Sequence, residues 1–304
     1  MPGPGVFMRR AGKLLGLWCA CIGLLFVGTG QALADKALVL TVDSAIGPAS
    51  ASYILEGIEQ AQSGGYGLVV LELDTPGGLD SAMRDIIKGM LSSKVPVAIY
   101  VSPNGSRAAS AGTYMLYASH IAAMAPATNL GAATPVQIGA TPPAPPDSKP
   151  PADEAGEEEA ETSDEPANDM PDDAMKAKMI NDAVAYIKGL AELRDRNAEW
   201  AERAVREAVS LTASEALEQN VIDLVAESVE DLLAKADGRE IKVGEELVTL
   251  ESAGLEIERL EPDWRIRLLT IITDPNVAYL LMLVGIYGLL LEGYNPGAFV
   301  PGIV

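Results

Sequence analysis

Histidine and cysteine are nearly missing from this chain, and the shortage removes whole classes of chemistry. Its 304 residues hold two cysteines and one histidine. Both cysteines, Cys19 and Cys21, lie in an N-terminal apolar run. The rest of the chain therefore offers no disulfide framework, no cysteine nucleophile and no thiolate metal site. A single histidine cannot build a histidine-rich metal centre, so neither metal nor cofactor is expected. His120 would also have to serve as the base of any Ser-His-Asp triad, and it reads more simply as a polar residue at the start of an apolar strand. Basic residues are scarce as well: 22 Lys and Arg face 43 Asp and Glu, a formal net charge of -21. Neutralising phosphates needs clustered cations, so no nucleic-acid partner is expected. The acidity is uneven, with twelve carboxylates against Lys149 alone in residues 147–173.

What is present begins with an export pattern. Arg9, Arg10 and Lys13 precede an apolar run over 14–27, and Ala32-Leu33-Ala34 forms a small-x-small site. Residues 1–34 are read as a signal peptide cleaved before Asp35, because the run is short for a bilayer span; a retained signal anchor is the alternative.

From residue 36 apolar runs alternate with amphipathic ones, as in parallel strands joined by crossover helices. Strands are expected at 37–42, 67–73, 95–101 and 121–125, and helices at 49–62, 79–91 and 109–118. Residues 137–173 break this pattern with a proline-rich start and the acidic run. They carry too little apolar surface to offset chain entropy and are expected to be a disordered insertion. Helices are expected again at 174–191, 199–207, 213–218 and 229–236, with a short strand at 221–226 and two small strands around a turn in 240–258. Residues 277–291 contain no charge, and Tyr279, Tyr287, Tyr294 and Trp264 suit a membrane interface. Residues 261–304 are accordingly expected to be a membrane region with a C-terminal transmembrane segment. A buried soluble helix is the alternative, since fifteen residues reach only about 22 Å. The apolar C-terminal sequence looks like a membrane region cut short.

Three features carry chemistry. Ser110, in Arg107-Ala108-Ala109-Ser110-Ala111-Gly112, falls where a strand gives way to an apolar helix. Such a turn lifts a hydroxyl out of the sheet, and the helix N-terminus adds positive potential, although a serine there is commonly just a cap. Gly77 and Gly78 follow a buried strand and offer unshielded N–H groups to an oxyanion, or merely form a turn. With histidine set aside, the remaining base is a lysine desolvated in apolar surroundings. Lys178 is placed on the apolar side of its helix, beside Met179 and one turn from Met175. Lys176 and Lys188 are rivals on spacing alone.

These residues resemble a known family. Leu73-Asp74-Thr75-Pro76-Gly77-Gly78, Ala109-Ser110-Ala111-Gly112-Thr113-Tyr114, Asn181-Asp182-Ala183-Val184-Ala185-Tyr186-Ile187 and residues 276–291 followed by Asn295-Pro296-Gly297 are similar to the long-form NfeD family of membrane-bound ClpP-class serine proteases. The resemblance implies an α/β fold, a ClpP/crotonase-like spiral of βαβ units, with the protease domain in 35–136 and 174–260. It implies Ser110 as nucleophile, Lys178 as base, and Gly77 and Gly78 as oxyanion donors, with the amide of Ala111 a further one. It also implies a stomatin-like membrane protein as substrate or partner, cleavage of an apolar segment, and assembly into at least dimers. The expected location is the cytoplasmic (inner) membrane with the catalytic domain on the periplasmic or extracellular side, although Arg265 and Arg267 on that side run mildly against the positive-inside tendency. The rival readings are a catalytically idle scaffold for stomatin-like proteins and a crotonase-type acyl-CoA enzyme. Export weighs against the second.

Overall fold

The computed structural model describes residues 36–136, 172–273 and 275–294. The expected signal peptide, nearly all of the acidic insertion and the last ten residues lie outside this set.

The first half is a run of βαβ units. Strand β1 (Lys36–Asp43) leads into helix α1 (Pro48–Gly64), β2 (Leu68–Asp74), α2 (Asp80–Ser92) and β3 (Val97–Val101). A short β4 (Arg107–Ala109), α3 (Ala111–Ala118), β5 (Ile121–Met124) and β6 (Asn129–Gly131) follow. The second half contributes α4 (Asp172–Leu193), α5 (Ala198–Arg206), β7 (Ser210–Thr212), α6 (Ala213–Glu218), β8 (Leu224–Val225) and α7 (Val229–Ala236). A hairpin β9 (Glu240–Val243) and β10 (Glu246–Thr249), then β11 (Glu256–Leu260), α8 (Trp264–Thr273) and α9 (Pro275–Tyr294) complete the described chain.

The main sheet runs β11-β1-β2-β3-β5-β8, with every neighbouring pair parallel. Its central strands are covered on both faces, which is why they read as unbroken apolar runs rather than alternating ones. Leu38, Leu40, Leu71, Leu73, Ile99 and Val101 face the core shared with α1 to α5. Val39, Val70, Ala98, Tyr100 and Ala123 face α7 and the hairpin. Local signals set the helix ends: Pro48 opens α1 and Gly65, at φ 70°, closes it. Asn197 caps α5, and Thr212 with Glu215 forms a capping box on α6.

Four expectations change. β4, β6 and β7, a separate three-stranded sheet, are too short to show a periodicity and were not anticipated. The segment expected as two small strands in 240–258 holds that hairpin plus a third strand, β11, which adds to the main sheet beside β1. Its charges look like surface sequence because it is an edge: Glu258 pairs with Lys36 at 3.1 Å and Arg259 with Glu72. The expected strand at 221–226 shrinks to Leu224–Val225, since its first residues close the turn after α6. At the C-terminus, no single helix among the described residues is long and apolar enough to cross a membrane. Only the bent pair over residues 264–272 and 277–290 meets that test together.

Helix α3 is buried along its whole length, so its ends must be satisfied by protein. At the C-terminal end the buried Arg196 donates to the carbonyls of Leu116, Tyr117 and Ser119 at 2.9 to 3.0 Å and pairs with Asp223 at 2.6 Å. Arg194 adds a bond to the Ala118 carbonyl at 3.0 Å. His120, buried beside them, accepts the Val97 N–H on Nδ1 at 3.1 Å. Burial first, then the cations of Arg194 and Arg196, pushes its pKa down to about 3.

His120 is therefore neutral in the fold and takes up a proton on unfolding at any pH below its ordinary value of 6.5. Its contribution is complete above pH 6.5 and is lost as pH falls toward about 3. Urea titrations from pH 6 to 4.5 should show His120→Asn flattening the loss of stability by up to about 1.4 kcal/mol per pH unit. An unchanged slope would refute the assignment.

Candidate functional site

The turn carrying Ser110 is built by zipping two segments together. After β2, Thr75 accepts from Ala109 at 3.1 Å and donates to the Arg107 carbonyl at 2.8 Å, pinning β4 beside it. β4 also pairs with β6, and the Ser110 N–H donates to the Gly131 carbonyl at 3.0 Å. The buried Thr113 hydroxyl lies 2.9 Å from the Ala108 carbonyl and 3.0 Å from that of Gly131, and accepts the Gly131 N–H at 3.2 Å. Held from both sides, Ser110 takes φ 51° and ψ -114°, where side chains are disfavoured, at a cost of order 1–3 kcal/mol.

This conformation rules out the cap reading. Ser110 occupies the N-cap position of α3 but its side chain makes no capping hydrogen bond. Ser110 instead lines a cleft of about 240 Å³, together with Gly78, Ala111, Leu79, Met83, Tyr114 and Ala183 among others.

The glycine pair lies against it. A Cβ on Gly77, itself at φ 116°, would sit 2.7 Å from the Ser110 Cβ. One on Gly78 would fall 2.0 Å from the Ile46 carbonyl oxygen. Ile46 brackets this turn, donating to the Gly77 carbonyl and accepting from Leu79, both at 2.8 Å. The two glycines are not equivalent, because the Gly77 N–H is occupied by Thr75 Oγ1 at 3.2 Å. The N–H groups of Gly78 and of Ala111, at the start of α3, make no hydrogen bond among the described residues.

The structure thus brings Ser110, Gly77, Gly78 and Ala111 together. Lys178 is different. It lies near the start of α4, exposed, while Met175 and Met179 are half-buried, so the expectation that it occupies the apolar side of its helix is not met. No hydrogen bond joins it to Ser110 among the described residues. Lys188 is committed elsewhere, paired with Glu202 at 2.9 Å, and Lys176 is exposed. His120, two residues beyond α3, is at the opposite end of that helix from Ser110. Among the described residues no group of three or more His, Cys, Asp or Glu is placed to hold a metal ion.

Sequence reasoning missed a bridge between α2 and α4 at the cleft wall. Arg84 pairs with Asp80 at 2.8 Å and with Asp182 at 2.7 Å, and its guanidinium lies 4.3 Å from the Tyr186 ring centroid. Tyr186 stacks on Tyr114, whose buried hydroxyl donates to the Ala133 carbonyl at 3.1 Å. Burial raises the Tyr114 pKa, keeping the hydroxyl a neutral donor. The i,i+4 spacing of Asp80 and Arg84 was a visible signal for half of this bridge.

Residues 36–246 match the family described as NfeD1b, N-terminal domain. The chain belongs to that family. A membrane-bound protease of Pyrococcus horikoshii is 39% identical over 238 residues, 78% of this chain and 48% of the relative. The membrane protein NfeD1b of Bacillus subtilis is 24% identical over 270 residues, 87% of this chain and 52% of the relative. The chain thus spans about half the length of these curated relatives. Among solved structures, a lysine-to-alanine variant of the 1510-N membrane-bound stomatin-specific protease, in complex with a substrate peptide, aligns with a TM-score of 0.65 at 33% identity. The match covers 80% of this chain and 99% of that one. A serine-to-alanine variant of the same protease gives 0.61 at 33% identity over 75% and 99%. The mixed α/β architecture with its parallel sheet is therefore similar to that of this protease.

Gly78→Ala should be the most damaging small change in this turn, because its methyl group meets backbone rather than a movable side chain. A loss of about 2–4 kcal/mol in urea denaturation is expected. A variant as stable as the parent would show that Ile46 does not clamp the turn.

Proposed function

We propose that the chain is a serine endopeptidase in which Ser110 attacks a peptide carbonyl and Lys178 accepts its proton. The observation that carries this reading is the Ser110 turn: a strained, uncapped hydroxyl beside unpaired amides at a helix N-terminus, open to a largely apolar cleft. The amides of Gly78 and Ala111 are the donors for the developing oxyanion, with Gly77 shaping the turn rather than donating in its present state. As the acyl-enzyme forms, the lysine gives that proton to the leaving amine; its neutral amine then takes a proton from the attacking water and returns it to the Ser110 oxygen as the ester is hydrolysed.

Lys178 enters through the family resemblance, and the relative studied both as a serine-to-alanine and as a lysine-to-alanine variant supports pairing the two residue types. Its exposed amine has to be drawn over Ser110 and stripped of water when a peptide fills the cleft. It is carried one helical turn before Asp182, which Arg84 ties to the cleft wall. The ClpP/crotonase-type spiral, cleavage of apolar segments, a stomatin-like partner, homo-oligomerisation and a catalytic domain outside the cytoplasmic membrane belong to the same proposal. So does the division into a protease domain over 35–136 and 174–260, with a membrane region over 261–304. The relatives' names describe membrane-bound proteins, one of them a stomatin-specific protease.

Treatment with a serine-reactive phosphonate should label the chain at Ser110, and Ser110→Ala should abolish both labelling and cleavage of an apolar peptide, by at least about three orders of magnitude. Lys178→Ala should match it in cleavage, and Lys178→Arg should not rescue, because a guanidinium cannot serve as the base. Wild-type cleavage by Ser110→Ala sinks the proposal. Normal folding with neither labelling nor cleavage in the parent chain favours the idle scaffold.

A further inference from the structure

Helix α8 leaves a one-sided apolar face uncovered. Its inner side is firmly docked: Ile266 is buried in the main core, and Asp263 Oδ1 accepts the Ile266 N–H at 2.8 Å. Just upstream, Tyr53 of α1 donates to the Leu260 carbonyl at 2.5 Å. The outer side carries Trp264, Leu268, Leu269, Ile271 and Ile272, each 44 to 69% exposed. At 3.6 residues per turn these five fall within an arc of about 160°, opposite the buried Ile266. Scattered exposed apolar residues are ordinary, but a continuous stripe of this kind marks an interaction surface. Arg265 lies within that arc, with its guanidinium 5.5 Å from the Trp264 ring centroid and no ion pair among the described residues.

The next helix says what covers that stripe. In α9 the residues Leu280, Leu281, Met282, Ile286 and Tyr287 are all exposed, between 41 and 63%. Their helical positions are spread around the whole circumference. A protein partner covers one stripe of a helix, whereas all-round apolar exposure fits a solvent that is apolar in every direction. The exposed apolar surface of α8 continues along the chain into that helix, with a tryptophan and an unpaired arginine where α8 begins. Both are the side chains that settle at a headgroup boundary.

We propose that α8 is an interfacial helix, seated in the headgroup layer of a lipid bilayer by its Trp264, Leu268, Ile271 and Ile272 face, with Arg265 reaching lipid phosphate. The inference rests on the membrane region proposed above for 261–304, and stands whether or not Ser110 is a nucleophile. Ile266 and Arg267 line a cavity of about 360 Å³ together with Val42, Asp43 and Ser44, just ahead of Ile46, which clamps Gly78. Helix α8 thus lies between a bilayer seated on its outer face and the segment that leads to Ile46.

The test uses the full 304-residue chain bearing Trp18→Phe, bound to phosphatidylcholine vesicles containing some phosphatidylglycerol. Trp200 is buried in the domain, so the difference from Trp18→Phe/Trp264→Phe reports Trp264. The Trp264 emission should shift to the blue and be quenched at least about threefold more by lipids labelled near the headgroup than by lipids labelled at the chain end, matching a depth of roughly 5–10 Å. Leu268→Glu/Ile272→Glu alters only exposed positions and should remove that quenching while leaving the circular dichroism of the domain unchanged. Aqueous iodide reaching Trp264 as freely with vesicles as without would overturn the proposal. So would efficient cross-linking between copies through Leu268→Cys in a Cys19→Ser/Cys21→Ser chain, which would show a second copy on the stripe.

Discussion

One backbone conformation organises this domain: a non-glycine residue, Ser110, held at φ 51° between a three-residue strand and a fully buried helix. Such a conformation persists only when its neighbours leave no alternative. Here Gly131 takes the Ser110 N–H, Thr113 ties the strand before the turn to the strand beside it, and Thr75 locks β4 against the end of β2. The reward for the strain is chemical. A relaxed serine at this position would cap its own helix; this one leaves both its hydroxyl and the first amide of α3 uncommitted.

The same short helix is held from its other end. Arg196 and Arg194 fill the carbonyls that α3 would otherwise leave unsatisfied in the core, and place positive charge where the helix dipole is negative. Removing one partner from a buried network of this kind typically costs about 3–5 kcal/mol, because the remaining groups are stranded away from water. A helix fixed at both ends cannot slide, so the Ser110 hydroxyl and the Gly78 amide keep a constant relation. The helix that carries Lys178 is less firmly held. Only the second half of α4 is buried, by Ala183, Ile187 and Leu190, and the turn carrying Lys178 stands in solvent beyond the Arg84 bridge. The domain thus joins a rigid wall bearing Ser110 to a more exposed arm.

Glycine plays two separate parts here, and only coordinates separate them. Gly77 needs its positive φ and its bare Cα to let Ser110 approach, and its N–H is taken by Thr75. Gly78 needs the missing Cβ because Ile46 crosses directly over it, which leaves its N–H clear. In the sequence the two are simply adjacent glycines after a strand.

The sequence by itself determined the layered α/β order, because strands covered on both faces must be apolar throughout and crossover helices must be amphipathic; β1, α1, β2, α2, β3 and α7 fall close to where the pattern puts them. It also singled out Ser110 and the glycine pair, since a strand-to-helix turn among small residues is visible locally. What it could not supply are relations between distant segments. β4, β6 and β7 are stable only as partners of one another, β11 is a strand only because β1 offers it an edge, and Lys178 looks apolar-facing only if the whole helix is assumed to be buried. The engagement of Gly77 by Thr75, the Arg84 bridge and the double anchoring of α3 were decided by tertiary structure alone, because each depends on where backbone polar groups find partners once the core excludes water.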